Sequence, residues 1–258
     1  MDYGKTFVVL NCGELVTLRG SSQPRTRAEM SDLSIVPNGA FLVRDGRIEW
    51  VGSQAEIETE LTSEYSVIDA RGRVVMPGFV DAHTHPVFAS TRTNEYELRA
   101  RGATYEEIAA SGGGIRSTVR KTRAAPEEDL FEAAERRLHW FLRNGTTTIE
   151  AKSGYGLSLE AETKMLLVIR RLNGTGLLRL VPTFLGAHEI PDEFVGRTDE
   201  YVQIIINEML PEIVRGKLAE YCDIFCEPKI FNLLAAERIL TAARARGLGL
   251  RVHADQLS

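Results

Sequence analysis

Along this chain the apolar positions change character near residue 72. Before it they come in short runs: Phe7-Val8-Val9-Leu10, Ala40-Phe41-Leu42-Val43 and Arg47-Ile48-Glu49-Trp50-Val51. These are too short for helices and rich in the branched and aromatic residues that suit strands. Asp45-Gly46, between the last two runs, is a tight hairpin signal, because both residue types tolerate positive φ. Residues 23–31 are mostly polar and predict a mobile loop. The expectation for residues 1–72 is a small, β-sandwich-like domain.

From Arg73 onward strand alternates with helix. Strand-like apolar runs occupy residues 74–82, 146–151, 178–184, 222–226 and 248–254, with helical stretches between them. Pro126-Glu127-Glu128-Asp129 is a first helical turn, its acids placed at the positive end of the helix dipole. Leu130, Ala134, Leu138, Phe141 and Leu142 then recur at helical spacing, and Asn144-Gly145 stops the helix. Ser158 caps the next helix, which runs to Asn173-Gly174; Asn232 or Leu233 opens another that ends at Gly247. Alternation of this kind, with strands this apolar, predicts a parallel sheet covered by helices. No Gly-rich phosphate fingerprint follows the first strand, which disfavours an open dinucleotide-binding sheet. The expected α/β fold is therefore a (β/α)8 barrel over residues 73–258. Only five of its eight strands can be counted, so the chain reads as part of a longer one.

Composition narrows the function. The chain has 258 residues, 43% hydrophobic and 26% charged, with a net charge of −5 that offers nucleic acid no basic footprint. No apolar stretch approaches the ~20 residues of a membrane span. The N-terminus lacks a signal peptide's basic and then apolar layout. Cys12, Cys222 and Cys226 are too few and odd in number for a disulfide framework. They read as buried structural thiols, and the expected location is the cytoplasm.

Of five histidines, four stand where a strand meets its following loop: His83, His85, His188 and His253. His83 and His85 are spaced i, i+2, so on a strand both rings face one side. Two neutral imidazoles aimed at one point make half of a divalent-metal site, and His253 supplies a third donor. His139, in mid-helix, is a packing or surface residue. Asp81 lies two residues deeper than the pair and Asp255 two residues past His253; neither is a convincing fourth ligand. Lys152 follows the second strand, where a structural role is expected. In the loop after the first strand, Arg92 is either a solvated charge or a bidentate clamp for a substrate carboxylate. Tyr155 sits between glycines that let its loop bend sharply toward a ligand.

Val-Met-Pro-Gly-Phe-Val-Asp-Ala-His-Thr-His-Pro, at 75–86, resembles the first barrel strand of the amidohydrolase superfamily of metal-dependent hydrolases. Ser111-Gly112-Gly113-Gly114-Ile115 and Lys152-Ser153-Gly154-Tyr155-Gly156-Leu157 are more specific, and Gly102-Ala103-Thr104-Tyr105, Gly186-Ala187-His188 and His253-Ala254-Asp255-Gln256 accompany them. With Arg92, these resemble the imidazolonepropionase family of histidine degradation, from about Val74 to Ser258. The resemblance implies one divalent metal, zinc or iron, on His83, His85 and His253. It implies that Arg92 holds the propionate of 4-imidazolone-5-propanoate beside Tyr155 and Tyr105, and that His188 hydrogen-bonds the ring. Gln256 stands where relatives place an acidic ring-contacting residue; an amide orients a substrate but is no general base. The implied reaction opens the cyclic amide to N-formimidoyl-L-glutamate, in a homodimer. The fourth ligand and proton acceptor would be a carboxylate on strand eight, so the 258-residue chain alone is expected to be inactive or very weak. The alternatives are another amidohydrolase, such as a deaminase or a different cyclic-amide hydrolase, and a truncated homologue acting as a binding subunit.

Overall fold

The computed structural model describes residues 6–57, 65–104, 107 and 113–256. They form two compact units, Met1–Gly78 and Phe79–Ser258.

In the first unit β1 (Phe7–Val16), β2 (Ile35–Arg44), β3 (Arg47–Ser53) and β4 (Ser66–Asp69) lie in the order β3-β2-β1-β4, and β5 (Val74–Val75) also pairs with β1. The expected hairpin joins β2 to β3, with Asp45 and Gly46 at φ 50° and 74°. Among the described residues this is one mixed sheet. Successive side chains of β1 feed opposite faces: Val8 joins Ala40 and Leu42, while Val9 joins Cys12 and Leu15. The sheet thus carries two small apolar clusters. The polar stretch at 23–31 ends in a 3-10 turn, Arg27–Ser31, where Glu29 reaches back to the Thr26 amide.

The second unit carries β6 (Phe79–Thr84), β7 (Thr146–Lys152), β8 (Arg179–Ala187) and β9 (Tyr221–Cys226), all parallel. Two short pieces, β10 (Gly249–Leu250) and β11 (His253–Ala254), both pair with β9. The result is a parallel half-barrel sheet of five strand positions. Two expected strands are divided. The run at 74–82 splits at Met76-Pro77-Gly78: Val74 and Val75 join the first unit's sheet, and Pro77 has no N–H for a ladder. The unit boundary therefore falls after Gly78 rather than after residue 72. The run at 248–254 breaks at Arg251, whose amide bonds Cys222 O while its guanidinium turns to Glu150 at 2.8 Å.

The helices form where the caps and stripes place them. The helix Glu127–Arg143 buries Leu130, Ala134 and Leu138 completely, each worth about 1.5–3 kcal/mol for a leucine. Ser158 accepts from the Ala161 amide to open the helix Leu159–Asn173, and Asn232 does the same for Ala235 in Leu233–Ala245. The helical stretch 198–215 widens into a π turn at Ile205–Met209, just before Pro211. Pro211 cannot donate to the preceding turn, and a wider turn avoids its ring's clash with that turn. No helix among the described residues is long and apolar enough to cross a membrane.

Candidate metal and active site

All four strand-end histidines gather at the carboxyl ends of the parallel strands. The His83 ring lies 5.9 Å from that of His85 and 4.8 Å from that of His253, centroid to centroid. His85 stacks on His188 at 4.9 Å, and Tyr155 sits 4.9 Å from His85 and 5.3 Å from His188. Phe225 packs edge-on against His253 and His188, closing the apolar side of the cluster.

The protonation of two rings follows from their partners. His85 Nδ1 lies 2.9 Å from Ser153 O, and His188 Nδ1 lies 2.9 Å from Gly154 O. A carbonyl only accepts, so each Nδ1 carries the proton and each Nε2 keeps a lone pair. Burial disfavours the imidazolium: it lowers His83, holds His85 well below the ordinary range, and takes His188 down to about 4. Neutral rings with a fixed tautomer are the form in which histidine binds metal or accepts a substrate N–H.

The loop after β7, residues 153–157, is buried except at Tyr155 and has a polar partner at nearly every backbone group. The Ser153 amide bonds Thr183 O. The amides of Gly154, Gly156 and Leu157 all donate to the Glu162 carboxylate, at 2.7–3.2 Å. The carbonyls of Gly156 and Leu157 accept from Arg123. Gly154 is required by its φ of 103°, and a Cβ there would stand 2.9 Å from His188 Nδ1. Glu162 is fully buried; desolvation pushes its pKa up, opposed by Ser153 and by the three loop amides.

Below the rings, Lys152 lies between Glu150 (2.9 Å) and Asp223 (2.5 Å), all three buried. Arg251 completes a set with two charges of each sign, and Thr183 donates to Glu150. The Lys152 amine is thus spent on two carboxylates, in keeping with a structural part for it.

The remaining candidates are placed as follows. Arg92 anchors its Nε on Thr118 at 3.0 Å, and its charge acts on both Tyr155 and His188. Gln256 accepts from His253 Nε2, and its amide donates to Glu227. Asp81 and Asp255 line different cavities, of about 630 and 520 Å3. His139 is exposed on its helix. Tyr105, Ser111 and Gly112 lie outside the described residues. Sequence reasoning passed over Glu162 and Arg123, the two charges that clamp the Tyr155 loop. Glu162 stands five residues after Leu157 in the first turn of a helix, where an acid reads as an ordinary favourable dipole contact.

As placed, no three His, Cys, Asp or Glu side chains among the described residues stand close enough together to hold a metal ion. The donor chemistry nevertheless suits one. His253 Nδ1 is buried without a hydrogen-bond partner, a costly state unless a ligand takes its lone pair. His85 Nε2 is free by tautomer, and both rings neighbour His83. The residues fit a divalent ion that accepts nitrogen donors.

Comparison with known proteins bears on this arrangement. The model of the amidohydrolase family matches residues 66–119. An imidazolonepropionase of Solibacter usitatus is 60% identical over 97% of this chain and 60% of its own length. One from Symbiobacterium thermophilum is 48% identical over 97% of this chain and 59% of its own length. The chain thus spans about 60% of the length of the relatives it matches. In structure it is similar to guanine deaminase of E. coli, with a TM-score of 0.58 at 15% identity, covering 96% of this chain and 52% of that one.

Proposed function

From the match to the amidohydrolase family model and the identity to imidazolonepropionases, we propose that this chain's protein opens the cyclic amide of 4-imidazolone-5-propanoate to N-formimidoyl-L-glutamate, using one zinc or iron ion on His83, His85 and His253. The observation that carries this reading is the cluster of strand-end imidazoles, with His253 Nδ1 unpartnered. The names of the relatives support the substrate.

A bound divalent ion supplies Lewis acidity at the ring carbonyl and lowers the pKa of a water toward neutrality. The chain's own residues bind and orient. Arg92 pairs with the propionate, its Nε fixed on Thr118 so that the rest of the fork faces the carboxylate. Tyr155, its pKa raised by burial, stays a neutral phenol and donates beside it; Tyr105 is assigned the same neighbourhood. His188 accepts a ring N–H at Nε2, because Gly154 O holds its proton at Nδ1. Gln256, its carbonyl occupied by His253, offers its amide N–H to the ring. An eighth-strand carboxylate takes the proton of the attacking water. The setting we assign is a cytoplasmic homodimer.

The test is turnover of 4-imidazolone-5-propanoate by the natural protein, beside a panel of amidine and cyclic-amide substrates. The proposal expects N-formimidoyl-L-glutamate, a loss of rate on chelation, and a KM roughly 10- to 100-fold higher in Arg92→Met, as for a lost charged hydrogen bond. No turnover by the metal-loaded protein, or equal turnover of an analogue lacking the carboxylate, would overturn it.

A further inference from the structure

We infer that Glu162 is a positioning residue for both the metal and the substrate: by gathering the amides of Gly154, Gly156 and Leu157 it fixes the two carbonyls that set the tautomers of His85 and His188. The inference rests on the reading above for what those rings do, but its structural content stands independently.

Three observations lead here. First, the buried loop has three of its N–H groups on one charge and two of its carbonyls on another. Glu162 takes three amides, Arg123 takes the Gly156 and Leu157 carbonyls, and Arg123 is itself paired with Glu193 at 2.9 Å. Of the remaining carbonyls, Ser153 O and Gly154 O are the ones that meet His85 and His188. Second, the loop does not hold this shape through its own preferences. Leu157 is a non-glycine residue at φ 51°, and Gly156 lies so close to the helix that a Cβ would stand 2.5 Å from the Glu162 amide. Such a backbone persists only where its surroundings over-determine it. Third, a fully buried carboxylate is costly unless its hydrogen bonds are met, and here the loop meets them with three backbone N–H groups and the Ser153 side chain. The carboxylate and the loop hold each other, and the imidazoles read out the result.

Glu162→Gln separates positioning from mere stability. The Gln carbonyl can keep the Gly156 and Leu157 amides, but its NH2 would oppose the Gly154 N–H, donor against donor. The disturbance is therefore centred on the Ser153–Gly154 peptide plane, whose carbonyl orients His85, and reaches His188 through the Gly154 carbonyl. The readout is the long-range 1H–15N imidazole spectrum of the natural protein, metal-free, followed by metal affinity in chelator competition. Ser158→Ala serves as the control: it weakens the same helix's cap but donates nothing to the loop.

The expected result for Glu162→Gln is loss of the single Nδ1–H tautomer at His85, a smaller change at His188, and metal affinity lower by about 10- to 100-fold, as for other outer partners of ligating histidines. Ser158→Ala should leave both tautomers and the metal affinity unchanged. If Glu162→Gln does not fold, Arg123→Lys releases the loop from its carbonyl side, nearer to the Gly154 carbonyl, and loss of the single His188 tautomer is expected there. Unaltered tautomers in a folded Glu162→Gln, or in Arg123→Lys, would overturn the inference. Neither readout uses a substrate, so failure of the proposed reaction would show separately, as an inactive but metal-competent wild type.

Discussion

The middle and the edges of the parallel sheet are built to different standards. On β7 and β8 the side chains toward the carboxyl ends, 149–152 and 183–187, are buried, most polar groups of the loop after β7 are paired, and His85 and His188 are fixed in one tautomer by its carbonyls. On the outer strands Phe79 and Val80 of β6 are 53% and 69% exposed, and Val252, between β10 and β11, is 56% exposed. His83 and His253 ride on those outer strands, and His253 Nδ1 has no partner. An edge strand leaves a row of backbone groups unpaired. The comparison teaches that rings meeting the loop after β7 are fixed by its carbonyls, whereas a ring on an outer strand keeps a nitrogen without a partner.

The largest effect expected from this contrast is at the edges. His83→Ala or His253→Ala should lower metal affinity by more than the ~100-fold that loss of an outer partner can cost, measured by chelator competition, with little change in unfolding midpoint. In the middle the reverse holds. Lys152→Met leaves Glu150 and Asp223 buried and facing each other, and should cost about 3–5 kcal/mol in urea unfolding. Leu138→Ala, at a fully buried position, should cost about 2–5 kcal/mol by the same measurement. Val80→Thr, on the exposed edge, should stay within about 0.5 kcal/mol. An edge substitution as costly as Leu138→Ala would erase the contrast.

Acid probes the same difference. His83, His85 and His188 are lowered in the fold, so between their ordinary value of 6.5 and the folded value, about 4 for His188, the unfolded chain binds more protons. Stability should therefore fall as pH drops from 6.5 toward 4 and be insensitive to these groups above it. Glu162, raised by burial, acts in the opposite sense: its contribution is complete below 4.5 and lost as pH rises through its folded value. Thermal unfolding between pH 4 and 8 checks the sign; a protein more stable at pH 4.5 than at 7 would contradict it.

Much of this was legible in the residues, for physical reasons. The β/α alternation, the Ser158 and Asn232 caps and the Leu130–Ala134–Leu138 stripe depend on local spacing, and they reappear in the fold. The strand-end histidines were visible because i, i+2 spacing and strand alternation act over a few residues. The division of 74–82 was missed because apolar content does not say which sheet a strand joins. Pro77 was the available signal, since it interrupts a ladder. The Glu162 clamp was invisible because its meaning lies in three amides of a loop that bends back onto it. Likewise the Lys152 network joins residues on β7 and β9, and no sequence spacing announces that closeness.

The most direct test of the account is the metal stoichiometry of the natural protein beside its His253→Ala variant. The account predicts about one zinc or iron per chain in the wild type, retained through dialysis, and its loss in the variant while the fold is kept. Equal metal content in the two, or a wild type that takes up neither ion, would contradict it.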